Sequence, residues 1–186
     1  LAIKRATSAA EADLVIDRQR VLRRNGDVLA AAFSQTDLVG MAEREVALRR
    51  LQAMAVERPR DIRLADGDRH YRAREKVEFI AEGRGEAQGA GPEHFLFFNI
   101  AYNGVVQHLL PARQAASARL SPDQSLAAVC VTRPFGADLA VLVTSSQPMS
   151  ELIEFIAAAD NQPMALEAVE KIRASFSPQM RIGLQG

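Results

Sequence analysis

Residues 95–111 read FLFFNIAYNGVVQHLLP, and no other stretch restricts the fold as strongly. Three of the chain's eight phenylalanines fall within four residues, and an Asn-Gly step then turns the chain back into apolar sequence. Asn-Gly flanked by apolar runs is the strongest short-range signal for a tight β-hairpin, because its favoured two-residue turn needs positive φ at both central positions. Counting outward from Asn103-Gly104 sets Ile100 against Gln107, Phe98 against Leu109 and Phe97 against Leu110. It also sets Asn99 against His108. Side chains alternate along a strand, so Leu96, Phe98, Ile100 and Tyr102 form one apolar face. The other face is apolar except for Asn99 and His108, the candidate polar pair. Both faces therefore require cover, which points to a buried hairpin and not to an exposed aromatic strip.

The rest of the chain supplies that cover. DLVIDRQRVLRRNGDVLAAAF, residues 13–33, has its own Asn25-Gly26 step and reads as a hairpin of strands near 13–23 and 27–33. Residues 37–56 place Leu38, Met41, Leu48, Leu51 and Ala55 on one helical stripe. Thr36 or Asp37 is placed to cap this helix, Pro59 lies beyond its end, and Gly40 sits awkwardly inside it. DIRLA, KVEFIAE, HFLFFNIAY, VVQHLL, SLAAVCVT and ADLAVLVTS are short apolar segments punctuated by Gly, Pro, Asn and Asp, and they read as strands. GRGEAQGAGPE, residues 83–93, reads as a loop between two of them. Ser150 is placed to cap a helix over SELIEFIAAAD, Pro163 opens a second with Leu166, Val169 and Ile172 or Arg173 in period, and MRIGL closes as a strand. The expected fold is α+β: a mainly antiparallel sheet or sandwich with an N-terminal β-hairpin, one helix before the sheet and two helices near the C-terminus. Residues 1–12 read as a linker and 13–183 as one domain. Within it, 13–58 hold hairpin and helix, 59–148 the β-rich centre, and 149–183 two helices and the last strand.

Chemistry is harder to find. Lys plus Arg and Asp plus Glu each total 23, so the basic excess of a nucleic-acid binder is missing and none is expected as a partner. The lone cysteine, Cys130, rules out an intramolecular disulfide and a Cys-rich zinc site. Its setting in an alternating apolar strand predicts a buried, inert thiol. His70, His94 and His108 show no metal-ligand spacing, His94 falling opposite about residue 113 by the register above, so no metal or other cofactor is expected. Ser145 and Ser146 lack the Gly-x-Ser-x-Gly elbow of a hydrolase nucleophile. The glycines at 83, 85, 89 and 91 lack the Gly-Lys-Ser/Thr of a phosphate loop. Asp66-Gly67-Asp68 reads as a turn. No apolar run reaches the ~20 residues a membrane helix needs, and no signal peptide is visible. The chain starts at Leu1 and not at Met, and is expected to be a piece of a longer protein.

Two strings carry a resemblance. FLFFNIAYNGVVQHLLP follows a pattern of apolar strand, Asn, x-x-x, Gly, x, Val, x-x, Leu, x, Pro. RPFGADLAVLVTSSQPM follows Pro-Phe-Gly-Ala-Asp, apolar strand, Ser, Pro. With the segments upstream of them, over about residues 13–183, the chain resembles a bacterial domain of unknown function. That domain lies C-terminal to caspase-like (metacaspase-type, peptidase family C14) proteases and beside some kinase domains. The resemblance implies a non-catalytic accessory module with a protein partner or an adjacent caspase-like domain, and makes an exported or periplasmic location plausible. The His-Gly dipeptide and Gln-Ala-Cys-x-Gly setting of a caspase-like centre are missing here, since Cys130 sits in Val-Cys-Val. Pro134, Phe135, Gly136 and Asp138 form the candidate interaction loop, with a rigid corner between strands as the plainer role of the same residues. The alternative is a small hydrolase or ligand-binding enzyme with a site near Asn99 and His108.

Overall fold

The computed structural model describes residues 6–8, 11–67, 71–82, 93–111, 119–120, 125–131 and 136–186. The elements run β1 (Leu14–Asp17), β2 (Arg20–Arg23), β3 (Val28–Ala30), α1 (Asp37–Glu57), β4 (Ile62–Leu64), β5 (Lys76–Ala81) and β6 (Glu93–Ile100). They continue with β7 (Val106–Leu110), β8 (Arg119–Leu120), β9 (Ser125–Cys130), β10 (Leu139–Ser145), α2 (Ser150–Ala158), α3 (Ala165–Ser175) and β11 (Met180–Gln185). The class is α+β with antiparallel sheets, as the sequence pattern predicts.

The continuous apolar run of β6 dictates the layering. It lies inside a sheet of order β11-β10-β6-β7, with β8 also paired to β6. On one face Leu96, Phe98 and Ile100 join Val141 and Val143 under α1, α2 and α3, with Leu51, Ile156 and Ile172 among the side chains that meet them. On the other face Phe95 and Phe97 join Ala140 and Leu142 against Ile62, Phe79 and Leu126 of a second sheet, β4-β5-β9. A strand covered on both faces has no polar alternation to show. A smaller core sets Val21, Leu29 and Ala30 of the β1-β2-β3 sheet against Met41 and Tyr102. The outer edges of the central sheet are closed by neighbouring chain. Val106 exchanges backbone bonds with Gln162 and Asn161, and Ile182 with Arg58 and Arg60. Such cover blocks edge-to-edge pairing.

Several expectations need correction. The strand foreseen at 13–23 breaks at Arg18, whose φ of 56° turns the chain between Asp17 and Arg20. The Asp17–Arg20 ion pair at 2.8 Å spans that turn, and neither Gly nor Asn marks it. Both Asn-Gly steps form three-residue turns. Arg23 N–H donates to Asp27 O and Ala101 N–H to Val105 O, with Gly26 and Gly104 at φ of 91° and 81°. Only the glycine takes positive φ in each, so the two-residue turn fails and the favoured turn-plus-bulge form replaces it. The inward stripe of α1 is Gly40, Met41, Arg44, Ala47, Leu51 and Met54. Leu38, Leu48 and Ala55 only flank it, because a glycine and an arginine hold central places that a hydrophobic count skips. Ser150 is the first residue of α2, whose cap position is Met149 with no side-chain cap, and Pro163 precedes the Met164 cap of α3. Cys130 is exposed at the end of β9, opposite Lys76, and not buried. The predicted loop at 83–93 lies outside the described residues except for Glu93, which opens β6.

Candidate functional site

The three-residue turn shifts the register of the hairpin. Asn99 pairs with Gln107, and Phe98 with His108; a bulge near Leu109 then restores Phe97 to Leu110. The expected Asn99–His108 pair is therefore not formed. Asn99 lies on the small-sheet side with Phe97, and His108 on the helical side with Phe98. The His108 backbone N–H donates to Asp160 Oδ1 at 2.9 Å.

Asn99 instead links the β6–β7 hairpin to the corner at Asp138. Its Nδ2 donates to Gln107 Oε1 at 2.8 Å and to Asp138 Oδ2 at 3.3 Å. Asp138 also accepts the backbone N–H of Tyr102. Beside this contact the hairpin tip is buried. Tyr102 is 6% exposed and Gly136 lies so close that a Cβ there would meet the Tyr102 Cβ at 2.4 Å. Gly40 of α1 packs on the same tip, where a Cβ would stand 1.9 Å from the Asn103 carbonyl oxygen. The first helical turn reaches the tip as well. Burial alone would raise the pKa of Asp37, but hydrogen bonds from Ser34 and Asn103 outweigh it and leave it lowered. Ala165 N–H, opening α3, donates to Gly104 O at 3.2 Å.

The 136–138 corner is pinned from the other side. Ala137 N–H donates to Leu29 O at 2.9 Å, and Gly136 bridges to Ala30. Arg44, 1% exposed, reaches across from α1 and donates from one terminal nitrogen to Ala137 O at 2.6 Å. Its other terminal nitrogen donates to Glu45 Oε1 at 2.7 Å, and Arg23 Nε donates to that same oxygen at 3.1 Å. Burial lowers the pKa of Arg44, and Arg23 adds to the effect against the opposing pull of Glu45 and Asp138. Asp138 is open to solvent as a residue. Crowding of its carboxyl still raises its pKa, only partly offset by Asn99, the Tyr102 N–H and Arg44.

A cleft of about 250 Å³ opens beside the corner, lined among others by Arg23, Arg44, Gln52, Asp138, Leu184 and Gly186. A second, of about 370 Å³, lies at the start of α2 with Ser145, Ser150, Ser175 and Ser177 in its wall. His94 is buried and pairs with Ser145 and Arg119, and the position near 113 expected opposite it lies outside the described residues. Among the described residues no group of three or more His, Cys, Asp or Glu is arranged to hold a metal ion. No described helix is long and apolar enough to cross a membrane.

Of the sequence-predicted loop, Gly136 and Asp138 are in this site, while Pro134 and Phe135 lie outside the described residues. Sequence reasoning missed Arg44, Gln107 and Tyr102. The one advance signal was Gly40, a helix-weakening residue inside a helical stretch, which marks a close backbone approach. No family model, curated protein or solved structure matches the chain.

Proposed function

We propose that this chain is a non-catalytic accessory domain that recognises a protein partner, of the kind that accompanies bacterial caspase-like proteases. The observation that carries the reading is the Asn99–Asp138 contact. It joins the two strings behind the resemblance into one corner with an open cleft at its side. The polar groups of that corner are engaged in holding it. Asn99 spans Gln107 and Asp138, Arg44 ties Ala137 to Glu45, and Ala137 is bonded to β3. Groups fixed in this way give a rigid surface, which keeps low the ordering cost of binding a partner. An adjacent caspase-like domain is the leading candidate for that partner.

The purified chain should turn over neither peptide nor ester substrates. Turnover that disappears when one of its own residues is substituted would reject the reading in favour of an enzyme. The hydrolase alternative drew on a site shared by Asn99 and His108, and the register that puts Asn99 opposite Gln107 and His108 opposite Phe98 favours the accessory reading over it.

A further inference from the structure

The corner cleft has a charge pattern that calls for a particular ligand. Arg23 and Arg44 converge on one oxygen, Glu45 Oε1. The carboxylate in the cleft wall, Asp138, accepts from Asn99 and from the Tyr102 N–H, and no direct hydrogen bond links it to either arginine. Two guanidinium groups thus share a single hydrogen-bonded carboxylate, to which Asp138 adds only an unbonded attraction on Arg44. Arg44 is almost fully buried, and its Nε has no hydrogen-bond partner. A buried charged donor left unsatisfied is costly, and a negative charge placed beside the guanidinium offsets part of that cost.

We propose that the cleft between α1, the start of β10 and the end of β11 binds a single carboxylate, with Arg23 and Gln52 as contact residues and Arg44 as the charge behind them. Its volume of about 250 Å³ is below the ~300–1,000 Å³ of drug-sized pockets, and suits one acidic side chain or a small carboxylic acid. Asp138 in the wall selects against a dianion such as phosphate, because a second negative charge gains no partner and meets a like one. The carboxylate can come from an acidic residue of a partner protein or from a free acid. The first source deepens the proposed recognition function and rests on it; the second does not.

The test is NMR of the full chain, following the Arg Nε–Hε resonances during titration with N-acetyl-aspartate amide, acetate, inorganic phosphate and chloride at constant ionic strength. A second arm uses an Asp-containing hexapeptide with blocked ends. Saturable shifts at Arg23 and Arg44 with the monocarboxylate, and weaker or no response to phosphate and chloride, are expected. Arg23→Gln should weaken binding about tenfold or more, the scale of one charge-assisted hydrogen bond. Gln52→Glu should abolish it by supplying a competing carboxylate, a useful second variant because Gln52 is exposed on α1. Tighter binding of the peptide than of the amide points to a protein source, and the reverse to a free acid. Absence of any arginine response, an equal response to chloride, or binding unchanged in both variants would overturn the proposal. A protein partner captured equally by wild type and Arg23→Gln would leave the recognition reading intact and remove the cleft from it.

Discussion

Replacing Gly40 with alanine sets two effects of opposite sign against each other. Helix propensity favours alanine by at most about 1 kcal/mol. In this fold, however, the new Cβ would stand 1.9 Å from the Asn103 carbonyl oxygen, where ordinary contact begins near 3.4 Å. The helix or the turn must therefore retreat by roughly 1.5 Å, the difference of those two distances. Neither yields easily. The obstructing atom is backbone, in a turn held by the Ala101–Val105 and Gly104–Ala101 bonds and tied to α3 through Gly104 O. Overpacking of this kind costs about 1–3 kcal/mol, and an overlap this large belongs at the upper end. The net expectation for Gly40→Ala is a loss of about 2 kcal/mol, or a fall of about 4–8 °C in Tm for a chain of this size. Urea unfolding followed by far-UV circular dichroism, with a thermal scan beside it, measures both. If Gly40→Ala proves as stable as wild type or more so, propensity has won, and the close approach of α1 to the hairpin tip is wrong.

Three further outcomes follow from the same site. Asn99→Ala should cost about 1–3 kcal/mol in urea unfolding, because Gln107 and Asp138 lose their shared donor; a cost near zero would mean that the Asn99 bonds are dispensable. Asp138→Asn keeps an acceptor for Asn99 and the Tyr102 N–H but removes a carboxyl whose folded pKa is raised above 3.8. Asp138's contribution is fully present below pH 3.8 and is lost as pH rises through the raised folded value. The stability of the variant relative to wild type should therefore increase from about pH 3.5 towards neutrality, and a relative decrease over that range would contradict the crowding of Asp138. Cys130, exposed on β9, should react with Ellman's reagent in the native chain at a rate close to that of the unfolded one; protection in the native state would restore the buried thiol expected from its apolar neighbours.

Much of this fold was legible because apolar periodicity reports burial directly. β6 could be read as covered on both faces from HFLFFNI alone, and the order of hairpin, helix, sheet and paired helices followed from spacing. Turn geometry was less legible. Asn-Gly suits both a two-residue and a three-residue turn, and the choice depends on the φ of Asn25 and Asn103, which composition does not fix. That single ambiguity moved Asn99 from His108 to Gln107 and hid the site. Arg44 was invisible for another reason. A charged residue on a helix is normally read as solvated, and only tertiary structure shows the Ala137 carbonyl and Glu45 carboxylate that let it be buried. The partnership of Asn99 with Asp138 spans 39 residues of chain, beyond the reach of any local pattern.

Affinity capture tests the recognition function most directly. Columns carrying wild type, Arg23→Gln and an unrelated domain of similar size would be challenged with the lysate of the host and, separately, with a caspase-like domain from it. Retention of a defined protein by wild type, reduced on the Arg23→Gln column while that variant stays folded, is the expected result. Retention of nothing beyond what the unrelated domain holds, from a chain shown to be folded, would contradict a recognition module and leave this corner as structural support alone.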